Sequence, residues 1–197
     1  MDGPIPVLVK PVNEGYGLNV HHLLAKHNLA PTLLAYSKVE GAPTAIMDYL
    51  DPSSWKPLSG VSSHPDTAAL FQVEIDQVIE ILQKNGVVHG DLRSPNIMVN
   101  VSPTGEVLLG SDETGTMRAI INVVDFDWAG VAGKVFFHPL SRNPDIAGVW
   151  PGKPGRTINR GHDRKLYQSW SERNPLHGFC HPGSLANPST NKSRLDC

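Results

Sequence analysis

The sequence predicts an α+β protein in which a small sheet comes first, a long helix follows, and short strands that end in polar residues come last. Three observations support this order: short apolar runs near the N-terminus, helical periodicity over residues 66–84, and brief apolar runs after it that stop at Asp or Asn. With 197 residues, the chain has the length of one domain, or of one domain with an appendage.

The N-terminal part of the chain is predicted to form three strands and one helix. Residues 5–12 and the two halves of 31–50 are short apolar segments bounded by Pro or Gly, which is typical of strands. Glu40-Gly41 is the predicted turn inside the second segment. Residues 18–30 place apolar side chains at helical spacing, with a stop signal at Asn28.

Residues 66–84 have the clearest helical pattern in the chain. Ser63 is the predicted N-cap, and Pro65 suits the first turn. The helix should end at Gly86. Four apolar residues recur at helical spacing and predict one buried stripe: Phe71, Ile75, Val78 and Leu82.

The segments after this helix are predicted to be short strands and then irregular chain. Apolar runs at 96–101, 106–110 and 118–126 indicate strands, and a turn at 102–105 separates the first two. From residue 166 onward the sequence shows neither helical nor strand periodicity. We therefore predict an irregular tail over 166–197.

Composition excludes several classes of partner. The chain has 17 Lys+Arg and 19 Asp+Glu, a formal net charge of −2. Nucleic acids and anionic membranes both need a basic face, so neither is expected. No apolar run reaches the roughly 18 residues of a membrane span, and the N-terminus lacks the basic start of a secretory signal. Both cysteines, Cys180 and Cys197, lie in the predicted tail, so we expect a soluble cytoplasmic protein without a disulfide framework.

Two segments place polar side chains between apolar runs. GVVHGDLRSPNIMVN contains Asp91, Arg93 and Asn96, and AIINVVDFDWAG brings Asp125 to the end of a strand. Carboxylate and amide oxygens suit Mg²⁺, which takes one or two protein carboxylates and completes its shell with phosphates and water. A fixed cation such as Arg93 suits a transferring phosphoryl group.

Each of these polar residues also has a purely structural interpretation. Asp and Asn at strand ends commonly cap turns, and this explanation stays open for any one position taken alone. The joint pattern favours a functional role. HGDLRSPN fits H-x-D-x-x-x-x-N, and DFD follows it where D-F-G stands in the protein-kinase signature.

On these motifs the chain resembles the protein-kinase-like superfamily, over roughly residues 5–167. His-Gly-Asp is the spelling found in aminoglycoside and choline phosphotransferases. Fungal protein-kinase-like proteins contain segments similar in particular to three stretches of this chain: GDLRSPNIMV, DFDWAG and NPDI at 143–146. The start of their short C-terminal helix resembles GHDRKLY at 161–167. The resemblance implies a two-lobed protein-kinase-like fold.

The resemblance also implies roles for the polar residues. Asp91 would accept the proton of a substrate hydroxyl, and Arg93 would steady the γ-phosphoryl group. Asn96 and Asp125 would hold Mg²⁺ on the phosphates of ATP. His89 would brace the loop, although a lone histidine is more often a satisfied core residue.

Further positions match the nucleotide-binding part of the family. Lys10 matches the strand lysine that contacts the α- and β-phosphates. Met47, Asp48 and Leu50 match the hinge, where Met47 would be the gatekeeper and the other two would offer backbone groups to adenine. A plain core strand is the alternative interpretation of this second segment.

The chain departs from the family pattern in three places. No G-x-G-x-x-G precedes Lys10, Leu18 and Asn19 stand where related sequences have Glu, and Asp127 replaces the Gly of D-F-G with no A-P-E motif after it. The expected organisation is an incomplete N-lobe without a glycine-rich loop at 1–50, a shortened C-lobe at 51–165, and the tail at 166–197.

Two functions are consistent with these motifs. The leading hypothesis is a phosphotransferase with Mg-ATP as donor and a hydroxyl group of a protein or small molecule as acceptor. The alternative is a catalytically inactive pseudokinase that serves as a binding or scaffold protein, because a missing loop and an unpaired lysine weaken nucleotide binding and raise the barrier. A metal site at His21, His22 and His27 is disfavoured, because a separation of five does not stack on one helix face.

Overall fold

A computed structural model describes residues 5–61, 65–137 and 155–173 of the chain. The described part is a mixture of small antiparallel sheets and helices, which confirms the α+β prediction. None of its three α-helices combines the length and the apolar character that a bilayer crossing requires. The elements are β1 Val7–Pro11, α1 Leu18–Lys26, β2 Leu33–Ser37, β3 Thr44–Asp48, β4 Trp55–Pro57, α2 Pro65–Lys84, β5 Val87–Val88, β6 Ile97–Asn100, β7 Leu109–Ser111, β8 Met117–Ala119, β9 Ile121–Val123, β10 Gly130–Val131 and α3 His162–Arg173.

The first three strands form an antiparallel sheet in the order β1-β3-β2. Ala45 of the central strand lies between Lys10 of β1 and Tyr36 of β2. The strands predicted within 5–12 and 31–50 are therefore confirmed. Lys10 lies on an edge strand of this sheet and is half-buried.

The helix α1 ends at Lys26, before the predicted end at residue 30. Asn28 adopts a left-handed conformation with φ of 57°, which Asn tolerates better than most residues. The N–H of Leu29 then donates back to the carbonyl of Leu24 at 2.9 Å. Leu29 and Ala30 are buried apolar residues of the connection, and their apolar character extended the helical pattern past the real end.

The helix α2 carries the predicted apolar stripe, and all four of its side chains are buried. One cluster of buried apolar side chains extends from α1 and β3 across this stripe to β6 and β9. Burying one such side chain stabilises the fold by about 1.5–3 kcal/mol. With four of them in this cluster, α2 contributes strongly to the packing of the core. The predicted N-cap Ser63 lies outside the described residues. The chain leaves the helix at Gly86, as predicted.

The strands after α2 pair in separate small sheets. β6 is the centre of the order β4-β6-β9, and β7 and β8 form a hairpin. The single strand predicted at 118–126 is wrong, because β8 and β9 pair with different partners on either side of Ile120. Ile120 is 39% exposed at this change of partner. An apolar run predicts extended chain, but it does not predict which strand pairs with it.

The helix α3 corrects the predicted tail. Residues 166–173 belong to the helix His162–Arg173, so the boundary predicted at residue 166 is wrong. Leu166 and Tyr167 are buried, but most other positions of the helix are polar, and the apolar periodicity is therefore weak. Residues 174–197 and the NPDI segment lie outside the described residues.

Candidate active site

Asp91, Arg93 and Asn96 form one hydrogen-bonded cluster in the loop between β5 and β6. Arg93 donates from Nε to Asp91 Oδ1 at 2.6 Å and from Nη2 to Oδ2 at 3.0 Å. Asn96 Nδ2 donates to Asp91 Oδ2 at 2.7 Å and to the Asp91 carbonyl at 2.9 Å. The structure therefore brings together the three residues that were predicted to be catalytic. Their bonds hold the Asp91 carboxylate in one orientation.

This cluster is largely shielded from solvent. The side chain of Asp91 is 12% exposed and that of Arg93 is 15% exposed. Burying a charge lowers the free energy of unfolding unless the charge is paired and hydrogen-bonded. The two parallel bonds between the Arg93 guanidinium and the Asp91 carboxylate, which form a guanidinium fork, meet both conditions. Trp170 of α3 covers the fork, with its ring centroid 5.2 Å from Arg93 Cζ. It also donates from Nε1 to Ser94 Oγ at 2.5 Å. Trp170 was not among the residues predicted from the sequence, because it lies in the segment predicted to be irregular.

His89 connects this loop to the segment after β9. Its Nδ1 accepts the N–H of Asp91 at 3.3 Å and its Nε2 donates to the carbonyl of Val124 at 3.1 Å, which requires the Nε2–H tautomer. The N–H of Val124 in turn donates to the carbonyl of Asn96 at 3.0 Å. Because Asp125 directly follows Val124, Asn96 and Asp125 lie at the same end of the β6–β9 pair.

Lys10 of β1 pairs with both acids of the DFD segment. Its Nζ donates to Asp125 Oδ1 at 2.5 Å and to Asp127 Oδ2 at 3.0 Å. Two residues predicted to bind ATP, Lys10 and Asp125, are thus in direct contact. Asp127, to which the motif comparison gave no role, is the third member of this group.

The three charges shift one another's pKa values. Burial opposes the charge of Lys10, but the hydrogen bonds and negative charges of Asp125 and Asp127 together outweigh burial and raise the pKa of Lys10. Burial also disfavours the charge of Asp125, but the bond from Lys10 lowers the pKa of Asp125 overall. Burial and the neighbouring Asp125 carboxylate raise the pKa of Asp127. Asp125 is therefore the more strongly ionised acid of the two.

Asp127 and Asn96 each have a side-chain oxygen that the hydrogen bonds described above do not use. Asp127 Oδ1 is buried and has no hydrogen-bond partner among the described residues. Asn96 uses Nδ2 in both of its bonds to Asp91, so its Oδ1 is not engaged by them. Mg²⁺ accepts carboxylate and amide oxygens beside phosphate and water, and its binding by Asn96 and Asp125 stays a prediction. The described residues contain no group of three or more His, Cys, Asp or Glu that could hold a metal ion.

Phe126 is the packed centre of the DFD segment. Its ring stacks on that of His21 at 4.4 Å and 8°, and meets His89 edge-on at 5.1 Å. His21 donates from Nε2 to the carbonyl of Pro31 at 2.8 Å, and its Nδ1 accepts the hydroxyl of Tyr16 at 2.6 Å. Burial lowers the pKa of His21 to about 4. His21 is therefore a neutral core residue with both nitrogens engaged, which agrees with the rejection of a histidine metal site.

The start of α3 anchors the loop that carries Asp91. Asp163 accepts the N–H of His89 at 2.8 Å and that of Gly90 at 2.9 Å, and His162 Nε2 donates to the carbonyl of Gly90 at 3.0 Å. Gly90 has φ of 83°, and a Cβ there would lie 2.5 Å from the carbonyl oxygen of Trp128, so only glycine fits. The His-Asp pair in GHDRKLY is the sequence signal for this anchor, but it was assigned only to a helix start.

The predicted hinge residues lie at the end of β3 and just after it. Met47 is buried within the strand, and Leu50 is half-buried beyond it. Asp48 Oδ2 accepts the N–H of Thr32 at 3.2 Å, which ties β3 to the start of β2. The segment therefore has the structure of a strand end, and its contact with adenine stays a prediction.

Comparisons with known proteins support the fold. No protein-family model and no curated protein sequence matches this chain. The structure is similar to that of the Cydia pomonella granulovirus kinase PK-1, with a TM-score of 0.51 and 16% sequence identity. The match covers 82% of this chain and 56% of the viral chain, so this chain spans little more than half of that kinase's length. The chain therefore has a kinase-like fold. The predicted relation to fungal proteins stays a prediction, because this neighbour is viral.

Proposed function

We propose that this chain is a kinase-like phosphotransferase domain that moves the γ-phosphoryl group of Mg-ATP to a hydroxyl acceptor. One observation carries the proposal. Asn96 donates to Asp91 through its side chain and accepts the N–H of Val124 at its backbone carbonyl. Asp125 follows Val124 in the chain and bonds to Lys10. The proposed proton acceptor, the proposed metal ligands and a cation therefore belong to connected segments.

Asp91 is the residue that would orient the acceptor. Arg93 and Asn96 hold its carboxylate in one position, so an incoming hydroxyl group would find a fixed acceptor for its hydrogen. Phosphoryl transfer depends mainly on positioning and electrostatic stabilisation. A rigid Asp91 therefore matters more for the rate than a strongly basic one.

Asn96 and Asp125 would hold Mg²⁺, which neutralises charge on the phosphate oxygens when it is bound. Lys10 would contact the α- and β-phosphates from the edge of the first sheet. Met47, Asp48 and Leu50 would lie at the adenine end. The acceptor would be a hydroxyl group of a protein or of a small molecule.

A binding or scaffold function without catalysis is the second candidate. It is favoured by the state of Lys10, which is engaged by two carboxylates and must release at least one to meet a nucleotide. The side chains of Lys10, Asp125 and Asp127 are 26–44% exposed. Partly exposed ion pairs contribute only about 0–1 kcal/mol each to stability. A triphosphate with its metal can compete with pairs of that strength, so we place the enzyme first.

Thermal denaturation with and without Mg-ATP tests nucleotide binding. We expect the wild-type Tm to rise, because a ligand at about a hundred times its Kd stabilises the folded state by about 2.7 kcal/mol. Asp125→Asn should abolish the rise. Glu113→Gln removes an exposed carboxylate elsewhere and should leave the rise intact.

Release of ADP from ATP, with water or an added hydroxyl compound as acceptor, separates enzyme from scaffold. An active enzyme should lose at least 100-fold in turnover with Asp91→Asn, while its Mg-ATP Tm shift is retained. A wild-type Tm shift without any turnover would favour the scaffold. The absence of a Tm shift in the wild type would contradict both the donor and the metal assigned here.

A further inference from the structure

The helix beside the first sheet does not supply a partner for Lys10. The sequence of α1, LNVHHLLAK, contains no acidic residue, and Glu14 before it is exposed. Both observed partners of Lys10 instead come from the DFD segment, more than a hundred residues later in the chain. The lysine is therefore held by a part of the molecule that also carries the predicted metal ligand Asp125.

Asp125 and Asp127 differ in solvent exposure and in the contacts of their backbone. The side chain of Asp125 is 44% exposed, whereas that of Asp127 is 26% exposed. Asn13 donates from Nδ2 to the carbonyl of Asp127 at 3.2 Å, and Gly17 N–H donates to the carbonyl of Phe126 at 2.9 Å. The loop before α1, through Asn13 and Gly17, therefore holds the backbone of Phe126 and Asp127 in place by hydrogen bonds.

We propose that Asp127 is the positioning residue of Lys10, and takes the place of the carboxylate that α1 lacks. This inference rests on the proposed function in one respect: Asp125 is expected to turn toward a bound cation. Lys10 then keeps Asp127 as its partner and stays directed at the phosphates. Asp127 acts through Lys10 and does not itself touch the reacting atoms.

Competitive acetylation tests this contact without any nucleotide. Acetic anhydride is added to the full chain, and the labelling of Lys10 is measured by mass spectrometry relative to the exposed Lys26 and Lys38. In Asp125→Asn, Lys10 should stay protected, because Asp127 still holds it. In Asp125→Asn/Asp127→Asn the relative labelling of Lys10 should rise about tenfold, as expected for the loss of a charge-assisted hydrogen bond.

The matched control is Glu14→Gln, which removes an exposed carboxylate from the same loop region and should leave the labelling of Lys10 unchanged. Equal labelling in Asp125→Asn and in the double variant would overturn the proposal. A circular dichroism melt of each variant shows whether a change in labelling reflects unfolding. Because these measurements contain no ATP, they decide the role of Asp127 even if the wild type binds no nucleotide.

Affinity for a fluorescent ADP analogue, with and without Mg²⁺, then tests the coupling. Asp127→Asn should weaken binding about tenfold with Mg²⁺, because Asp125 is then expected to turn toward the cation, and should weaken it less without Mg²⁺, because Asp125 can then still hold Lys10. It should have no further effect in a Lys10→Met background. A Mg²⁺-dependent effect that persists in the Lys10→Met background would make Asp127 a metal ligand and overturn its positioning role. Failure of the wild type to bind the analogue would instead contradict the proposed function.

Discussion

The carboxylate of Asp163 accepts the backbone N–H of His89 at 2.8 Å, across 74 positions of the chain. Its second oxygen accepts the N–H of Gly90 at 2.9 Å, and the residue is only 2% exposed. Asp163 therefore holds the turn that immediately precedes Asp91. The orientation of the predicted catalytic acid depends on a helix that begins more than seventy residues later.

Replacement of Asp163 tests this anchor. Asp163→Ala would leave two buried N–H donors without an acceptor, and we expect a loss of about 3 kcal/mol in the free energy of unfolding. Asp163→Asn keeps one acceptor and should cost less. Urea denaturation measures both losses. Lys165→Ala, an exposed change on the same helix, is the control, and an equal loss in the control would contradict the anchor.

Gly17 tests the contact between the loop before α1 and the DFD segment. A Cβ at Gly17 would lie 2.4 Å from Ala129 Cβ and 2.7 Å from its carbonyl oxygen. Gly17→Ala must therefore push the two segments apart, and overpacking of this kind costs about 1–3 kcal/mol. Gly60→Ala is the matched control, because a Cβ there meets nothing within 4 Å. Thermal denaturation that shows equal Tm values for the two variants would contradict the close approach.

His21 predicts a pH dependence of stability. Burial lowers its pKa in the folded state to about 4, against an ordinary value of 6.5. The unfolded chain therefore binds more protons between these values, and this contribution is complete above about pH 6.5 and lost as the pH falls toward 4. At about 1.4 kcal/mol per pKa unit, the effect is on the order of 3 kcal/mol.

The measurement is the free energy of unfolding by urea at several pH values between 4 and 7. His21→Gln cannot titrate, so its stability should fall less steeply with decreasing pH than that of the wild type. The exposed neighbour His22 provides the control variant His22→Gln, which should keep the wild-type slope. The charged and titratable groups that act on His21 are His22, His89 and Lys10. Parallel slopes for the two variants would show that His21 is not the group responsible.

An ion pair between the buried Glu74 of α2 and the half-buried Arg118 fastens the β7–β8 hairpin to α2. Arg118 donates from Nε and Nη2 to the two oxygens of Glu74 at 2.7 and 2.9 Å, and its Nη2 also bonds to Gln77 Oε1. Arg118→Met leaves the buried Glu74 carboxylate unpaired, and we expect a loss of about 3 kcal/mol. The double variant Arg118→Met/Glu74→Gln should recover part of that loss.

The more exposed pair of Arg164 and Asp76 is the control for this cycle, since their side chains are 38% and 36% exposed. Arg164→Met should change stability by only about 0.5 kcal/mol. Chemical denaturation gives all of these values. A coupling energy near zero between Arg118 and Glu74 would mean that the hairpin is held by its apolar contacts alone.

The sequence alone was sufficient for features that depend on neighbouring residues. The stripe of α2 from Phe71 to Leu82 follows from helical spacing, and every predicted member is buried. The proximity of Asp91, Arg93 and Asn96 also follows from the sequence, because all three belong to one short loop. The two bonds from Arg93 to Asp91 were not predicted, since Arg93 was expected to steady a phosphoryl group.

Only the tertiary structure decided the contacts between distant segments. The partner of Lys10, the anchor at Asp163 and the cover of Arg93 by Trp170 each join residues at least 73 positions apart. The helix that supplies Asp163 and Trp170 has a weak apolar pattern, because much of its role is to donate and accept hydrogen bonds. Periodicity reports which side of an element is buried, whereas the choice between possible partners for a charge depends on the packed arrangement of the whole chain.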